Sequence, residues 1–194
     1  MSGAGFSIDL HRCVGCGACV IACRIENART EQHAWRRVLP LNLRRHPGGP
    51  TYFLSVACHH CDQPACLRGC PSRAYEKRVD GVVVHHDDRC LGCRYCEMTC
   101  PFGAPTYDPA RGVVSKCHLC AHRLDRGLPP ACVAACPTTA LRTLEADSAL
   151  EAGTQPTVPG FVDAAGCRPN IRFASPKGAR RSALYADLEQ RIKR

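Results

Sequence analysis

Apolar residues along this chain come in short bursts, separated by polar pairs, by proline and glycine, and above all by cysteine. "AYEKRV" and "VVVHH" flank Asp80-Gly81 and predict two short strands with a hairpin turn between them. "AWRRVLPL" and "TYFLSVA" predict two more strands. "ACVIACRIENA" and "CRYCEMTC" predict short helices that end on a cysteine-bearing turn. "EADSALEAG" predicts a further short helix, followed by a loop punctuated by proline and glycine. Near the C-terminus "SALYADLEQRIKR" spaces Leu184, Leu188 and Ile192 four residues apart. That spacing predicts a helix docked on this chain or on a partner, with a solvated, frayed tail as the alternative. The longest apolar stretches, such as "YFLSVAC", fall far short of the ~20 residues of a membrane helix. "MSGAGFSIDLHRC" contains no basic n-region, apolar h-region or small-residue cleavage site. The chain is therefore expected neither to span a membrane nor to carry its own export address.

Composition sharpens this picture. The 194 residues suffice for one domain or two small ones, and 45% are hydrophobic, but 17 of them are cysteine and only 6% are aromatic. So thin a core at this length implies a fold held by covalent or coordinate cross-links. Without an export signal, and with an odd cysteine count, a disulfide framework is disfavoured.

The cysteines repeat. Cys13, Cys16, Cys19 and Cys23 have the spacing C-x2-C-x2-C-x3-C; Cys58, Cys61, Cys66 and Cys70 read C-x2-C-x4-C-x3-C-P. Cys90, Cys93, Cys96 and Cys100 read C-x2-C-x2-C-x3-C-P; Cys117, Cys120, Cys132 and Cys136 read C-x2-C-x11-C-x3-C-P, with a polar, Gly/Pro-containing loop in the long gap. Only Cys167 stands outside these four runs. A cubane [4Fe–4S] cluster needs one thiolate at each of four iron corners. Three cysteines of a run wrap three corners, and the fourth, on the helix leaving the loop, points to a neighbouring cluster, so two runs exchange fourth ligands. The proline after it ends the helix. Zinc sites use two separated C-x2-4-C pairs, which only the fourth run resembles.

Run, hairpin, run is the layout of a two-cluster bacterial ferredoxin, so the second and third runs are expected to form one unit, inserted into another built from the first and fourth. Four ligand sets follow: Cys13, Cys16, Cys19 and Cys136; Cys23, Cys117, Cys120 and Cys132; Cys58, Cys61, Cys66 and Cys100; Cys70, Cys90, Cys93 and Cys96. Spacing alone leaves open the alternative that pairs first with second and third with fourth. The fold class expected is α+β: two interleaved bacterial-ferredoxin-like units with short helices, β-hairpins and long loops. The outer unit would take residues 1–57 and 101–142, the inserted unit 58–100, and a C-terminal extension 143–194.

The formal charge of +9 suggests nucleic acid or anionic lipid as partner. Four clusters change that. Sixteen thiolates and four dicationic cores would bring the loaded chain to about +1, so the basic residues mostly offset buried anionic centres and nucleic-acid binding is not expected.

The motifs "IDLHRCVGCGACVIACR", "YFLSVACHHCDQPACLRGCPS", "DGVVVHHDDRCLGCRYCEMTCPFGAPTY", "KCHLCAHR" and "ACVAACPTTAL" resemble the iron–sulfur subunit of the dimethyl sulfoxide reductase type among complex iron–sulfur molybdoenzymes. "CRPNIRF" is similar to that family's "KPNI" region, and the likeness is weakest over residues 143–160. The resemblance implies four [4Fe–4S] clusters, the crossed pairing above, and no substrate chemistry or catalytic residue. It implies a place between a molybdopterin catalytic subunit and a polytopic, quinol-oxidising membrane anchor. Electrons would enter at the cluster of Cys90, Cys93, Cys96 and Cys70 and leave from that of Cys13, Cys16, Cys19 and Cys136. Nitrate-reductase-like relatives carry tryptophan at the position of Cys93 and hold a three-iron cluster there; cysteine implies a full cubane. Lacking a C-terminal membrane helix like that of the respiratory formate dehydrogenase subunit, the chain is expected on the dimethyl sulfoxide, polysulfide or tetrathionate reductase side of the family, with subunits of thiosulfate reductase and formate dehydrogenase as alternatives. Membrane association would then come through partners, at the cytoplasmic or the co-exported face. A freely diffusing polyferredoxin and a zinc protein binding nucleic acid are the competing functions.

Other residues read more plainly. His59, His60, His85 and His86 invite a proton-relay reading, against an ordinary one as buried or surface histidines. His60 and His118 lie inside runs and are expected to tune clusters rather than bind iron. Cys167 reads as a small buried hydrophobe. Arg12, Arg24, Arg94 and Lys116 flank ligands and are candidates for offsetting cluster charge.

Overall fold

The computed structural model describes residues 4–29, 34–41, 52–144, 154–158, 161, 162, 164 and 166–174. A four-stranded sheet joins distant segments. β1 (Gly5–Asp9), just before the first cysteine run, pairs antiparallel with β8 (Leu141–Leu144), just after the fourth, and parallel with β10 (Ile171–Ala174). β9 (Thr154–Gln155) adds to the far side of β10. Phe6 and Ile8 of β1 are buried with Ile171 and Phe173 of β10; β10 alternates with period 2, as a half-buried strand does, whereas central β1 is buried on both faces, Ser7 included. This sheet is absent from the sequence expectations, because its strands are short and their pairing is long-range.

Three hairpins complete the β structure. β2 (Arg37–Leu41) and β3 (Tyr52–Val56) are the strands that the two apolar bursts predict, and they pair antiparallel with each other. β4 (Tyr75–Lys77) pairs with β5 (Val83–His85), also as predicted. Their turn differs from a two-residue Asp80-Gly81 connection. Arg78 N donates to Val82 O, so the loop is Val79, Asp80 and Gly81, with Gly81 at φ +87° and its N–H on Arg78 O. The three-residue form needs one left-handed residue, and glycine supplies it. β6 (Thr106–Asp108) and β7 (Val113–Ser115) follow the third run and were not anticipated.

The helices are short: α1 (Ala18–Glu26), α2 (Ala65–Arg68), α3 (Tyr95–Thr99), α4 (Ala121–Leu124) and α5 (Ala131–Ala134). α1 and α3 fall where the sequence places them. Four-residue helices are not stable alone and depend on packing. Here α1 packs on α5 and α2 on α3, which joins the first run to the fourth and the second to the third. The "EADSALEAG" and "SALYADLEQRIKR" segments lie outside the described residues. Among the described residues no helix is long and apolar enough to cross a membrane.

The larger core combines Phe6, Ile8, Leu54, Phe102, Phe161 and Phe173 with cysteines from all the runs but the third, whose Cys100 packs against it from the edge. A smaller core holds Cys66, Tyr75, Val83, Cys96 and Val114. Sulfur is thus part of the hydrophobic interior, which fits the shortage of aromatic residues.

Candidate iron–sulfur centres

Each C-x2-C opens with the same backbone feature. The residue before the second cysteine has positive φ: Gly15 (72°), His60 (45°), Gly92 (65°) and Leu119 (56°). Such a turn aims amides inward, forming a concavity suited to an anionic group. Gly92 N lies 3.5 Å from Cys90 Sγ, and Leu119 N lies 3.4 Å from Cys117 Sγ. At Gly15 and Gly92 a side chain would also collide, with the Phe53 ring and with Gly112 O respectively.

A second repeated turn follows the three cysteine–proline pairs. Arg73, Gly103 and Thr139 have positive φ, and each donates its N–H to the carbonyl of the cysteine three residues back. The chain then folds amides onto that cysteine's sulfur. Ala74 N donates to Cys70 Sγ at 3.3 Å, Phe102 and Ala104 direct N–H groups at Cys100, and Thr138, Ala140 and Leu141 direct theirs at Cys136. Burial works against ionisation at Cys70 and Cys136, yet backbone and hydroxyl donors outweigh it and hold both thiols below the usual range. Cys100, more deeply buried, is pushed up to about 11 despite its amides.

Two cavities collect cysteines across runs. One, of about 20 Å³, is lined by Cys13, Cys16 and Cys19 of the first run and Cys136 of the fourth. Another, also of about 20 Å³, is lined by Cys58, Cys61 and Cys66 of the second run and Cys100 of the third. Elsewhere Asn27 Nδ2 lies 3.8 Å from Cys23 Sγ and 3.9 Å from Cys120 Sγ, and the Cys117 thiol feels the charges of Cys23 and Cys132. Cys70 and Cys90 pack around the smaller core beside Cys96. Cys16 and Cys93 are exposed. Cys167 is buried in the larger core, as expected of a small hydrophobe, and it lines the second cavity near Cys61 and Cys100.

The donor set suits iron–sulfur cores. Among the described residues no three His, Cys, Asp or Glu side chains are arranged to hold a single metal ion; in the two cavities the sulfurs surround a volume. Burial pushes the Cys23 and Cys66 thiols up to about 12, with neighbouring cysteines adding to the shift, and raises Cys61 and Cys117 further. So many crowded thiols ionise together only against a cationic core, which is the linkage expected of metal ligands. The Tyr75 hydroxyl is buried without a nitrogen or oxygen partner and lies against the Cys96 sulfur, placed to donate to a thiolate.

Of the residues flanking ligands, Lys116 is buried, and its Nζ donates to Val83 O and Cys117 O. Arg94 instead pairs with Glu97 at 2.6 Å on the surface. Burial, with Arg36 adding to it, lowers His59 to about 3, so it is neutral between Phe102 and Phe161. His85 pairs with Asp87 and His86 with Glu76. Two residues escape motif reading. Arg36 is buried near Cys19, Cys23, Cys117 and Cys132, thirteen residues from the nearest cysteine in sequence. Asn170 clamps the second-run loop, its N–H on His59 O and its Nδ2 on His60 O at 2.8 Å and Asp62 Oδ1 at 3.0 Å. Asn170 falls within the "CRPNIRF" segment, but no sequence signal singled out either side chain.

The fold and these loops define a ferredoxin-like iron–sulfur protein. Residues 50–146 match the family described as a 4Fe-4S dicluster domain, and residues 6–26 a 4Fe-4S binding domain. A component chain of the anaerobic dimethyl sulfoxide reductase of Haemophilus influenzae is 34% identical over 192 residues, 94% of each chain. Its counterpart in Escherichia coli K12 is 43% identical over 145 residues, 71% of each chain. A subunit of the tetrathionate reductase of Salmonella typhimurium is 41% identical over 132 residues, 66% of this chain and 52% of that one. The chain belongs to the family of iron–sulfur subunits of the dimethyl sulfoxide reductase type.

Proposed function

We propose that this chain is a non-catalytic electron-transfer subunit carrying four [4Fe–4S] clusters in the four crossed ligand sets. The observation that carries the reading is the pair of cavities, each lined by three cysteines of one run and the fourth cysteine of another. The packing of α1 on α5 and of α2 on α3, and the pairing of β1 with β8, support the interleaved units 1–57 with 101–142 and 58–100. Beyond residue 142, Asn170 braces the loop of the second run.

When bound, the clusters supply one-electron carriers. The chain's own residues hold the thiolates, direct amides at them and exclude water from the second and third sets. The first and fourth sets differ from these in exposure. Cys16 is exposed near Val14 (59% exposed) and Ile21 (51%), and Cys93 near Leu91 (73%) and Met98 (80%). Apolar surface around an accessible ligand fits docking to a partner. We assign the Cys93 end to a polytopic quinol-oxidising anchor and the Cys16 end to a molybdopterin catalytic subunit, so that the chain is membrane-associated through partners. The catalytic partner decides the terminal substrate.

Anaerobic purification with iron and acid-labile sulfide assays tests this. The expected result is about sixteen irons per chain, together with copurification of a large catalytic chain. Two clusters, or stoichiometric zinc, would refute it. Cys136→Ser tests the pairing: it is expected to perturb the first cluster, and loss of the third or fourth with the first intact would overturn the assignment.

A further inference from the structure

We propose that Arg36 is a positioning residue that sits between the first two ligand sets and raises the reduction potentials of the clusters they hold. The inference rests on the ligand sets proposed above.

Arg36 precedes β2 and is 1% exposed. Its Nη1 donates to Ser55 Oγ at 2.9 Å, and the same oxygen lies 3.4 Å from Cys19 Sγ, so one hydroxyl joins the guanidinium to a ligand of the first set. The guanidinium also lies over the Phe6 ring, 4.2 Å from its centroid. Its Nε and Nη2 are buried with no hydrogen-bond partner. It is buried among the sulfurs of Cys132, Cys117, Cys19 and Cys23, whose charge as thiolates would favour the guanidinium against the burial that disfavours it. Three of these sulfurs belong to the second set and one to the first. A buried guanidinium is a costly group to hold unless anions compensate it. Here the neighbouring anions are thiolates, and two of its N–H groups are left for sulfur acceptors.

A cluster with four thiolates becomes more negative by one charge on reduction. A fixed buried cation stabilises the reduced form more than the oxidised one, and low dielectric magnifies the difference. Arginine suits the place because its charge does not depend on pH in the working range and its planar fork serves several acceptors. The two clusters it faces would be the last pair on the route toward the catalytic partner, so Arg36 would keep that end of the path favourable for electron arrival.

The test is an anaerobic redox titration followed by electron paramagnetic resonance, on the full chain with its copurified partners. Arg36→Met and Arg36→Gln remove the charge; Gln keeps a donor for Ser55 and carries the test should Met fail to assemble. The expected result is a fall in at least one of the first two midpoints equivalent to a tenfold change in the oxidised-to-reduced ratio, about 59 mV for a one-electron couple. The third and fourth midpoints are expected to stay in place, and Arg36→Lys to restore most of the shift. Unchanged first and second midpoints in a neutral variant, or an equal shift in all four, would overturn the inference. Failure of the underlying reading shows separately, as a wild-type protein that lacks four centres.

Discussion

His60 Nε2 lies 3.9 Å from Cys117 Sγ, joining the second cysteine run to the fourth across the protein interior. Val83 N donates to His60 Nδ1 at 3.0 Å, so in the neutral ring the proton sits on Nε2 and faces the sulfur. Burial, with Lys116 the next cause, keeps the ring neutral. One imidazole thereby bridges the loop of the second run and a cysteine of the fourth.

Replacing His60 with alanine is expected to remove the N–H···S contact and to orphan the Val83 amide, costing about 1–3 kcal/mol of stability. In a redox titration, the midpoint of the cluster that includes Cys117 is expected to fall, since a donor to sulfur favours the reduced state. An unchanged midpoint alongside lowered stability would leave His60 with a packing role only.

Gly92 and Gly17 make a matched pair. Both have positive φ, but a Cβ on Gly92 would lie 2.4 Å from Gly112 O, whereas one on Gly17 meets nothing within 4 Å. Gly17→Ala is expected to cost about 1–2 kcal/mol, the price of a left-handed alanine, and to retain full iron. Gly92→Ala is expected to lose about a quarter of the iron, four of roughly sixteen atoms. Iron assay and thermal unfolding distinguish the two.

Asn170→Ala removes the donor to His60 O and Asp62 Oδ1. Leaving that buried carbonyl unpaired is expected to destabilise by about 1–3 kcal/mol. The damage is expected first at the cluster held by Cys58, Cys61, Cys66 and Cys100, read as earlier loss of its paramagnetic signal on warming.

Asp62 gives a pH signature. Partial burial raises its carboxyl, but hydrogen bonds from Asn170 and Lys77 outweigh this and the net shift is downward. A depressed folded pKa stabilises above the unfolded value, ~3.9, and that contribution disappears as pH falls through the folded value. Asp62→Asn is therefore expected to flatten the acid limb of a stability–pH curve below about pH 4 and leave the neutral region's slope unchanged.

Loading the chain with iron and sulfide is expected to release about one proton per ligating thiol near pH 7, because burial holds Cys23 and Cys66 near 12 and Cys100 near 11. Anaerobic reconstitution in weak buffer measures it directly. Conversely, stripping iron is expected to abolish cooperative unfolding, since cysteines are part of both cores.

The local features of this protein were determined by its sequence: the four cysteine runs, the helices α1 and α3, the strands β2 to β5, and the family. Each depends on residues within a few positions of one another, where spacing and turn chemistry act directly. The crossed ligand sets are a proposal that starts from the same local level, since a hairpin between two runs brings them together, while spacing alone leaves the other pairing open. Tertiary structure decided what depends on distant segments meeting. The sheet that joins β1, β8 and β10 is one case, for strands this short gain their stability from pairing partners rather than from their own pattern. Arg36, Asn170 and the three-residue turn at Gly81 are others. An arginine looks alike in sequence whether solvated or buried, and only the folded chain, by placing Arg36 beside Cys19, Cys23, Cys117 and Cys132, turns it from surface charge into the counter-charge of a redox pair.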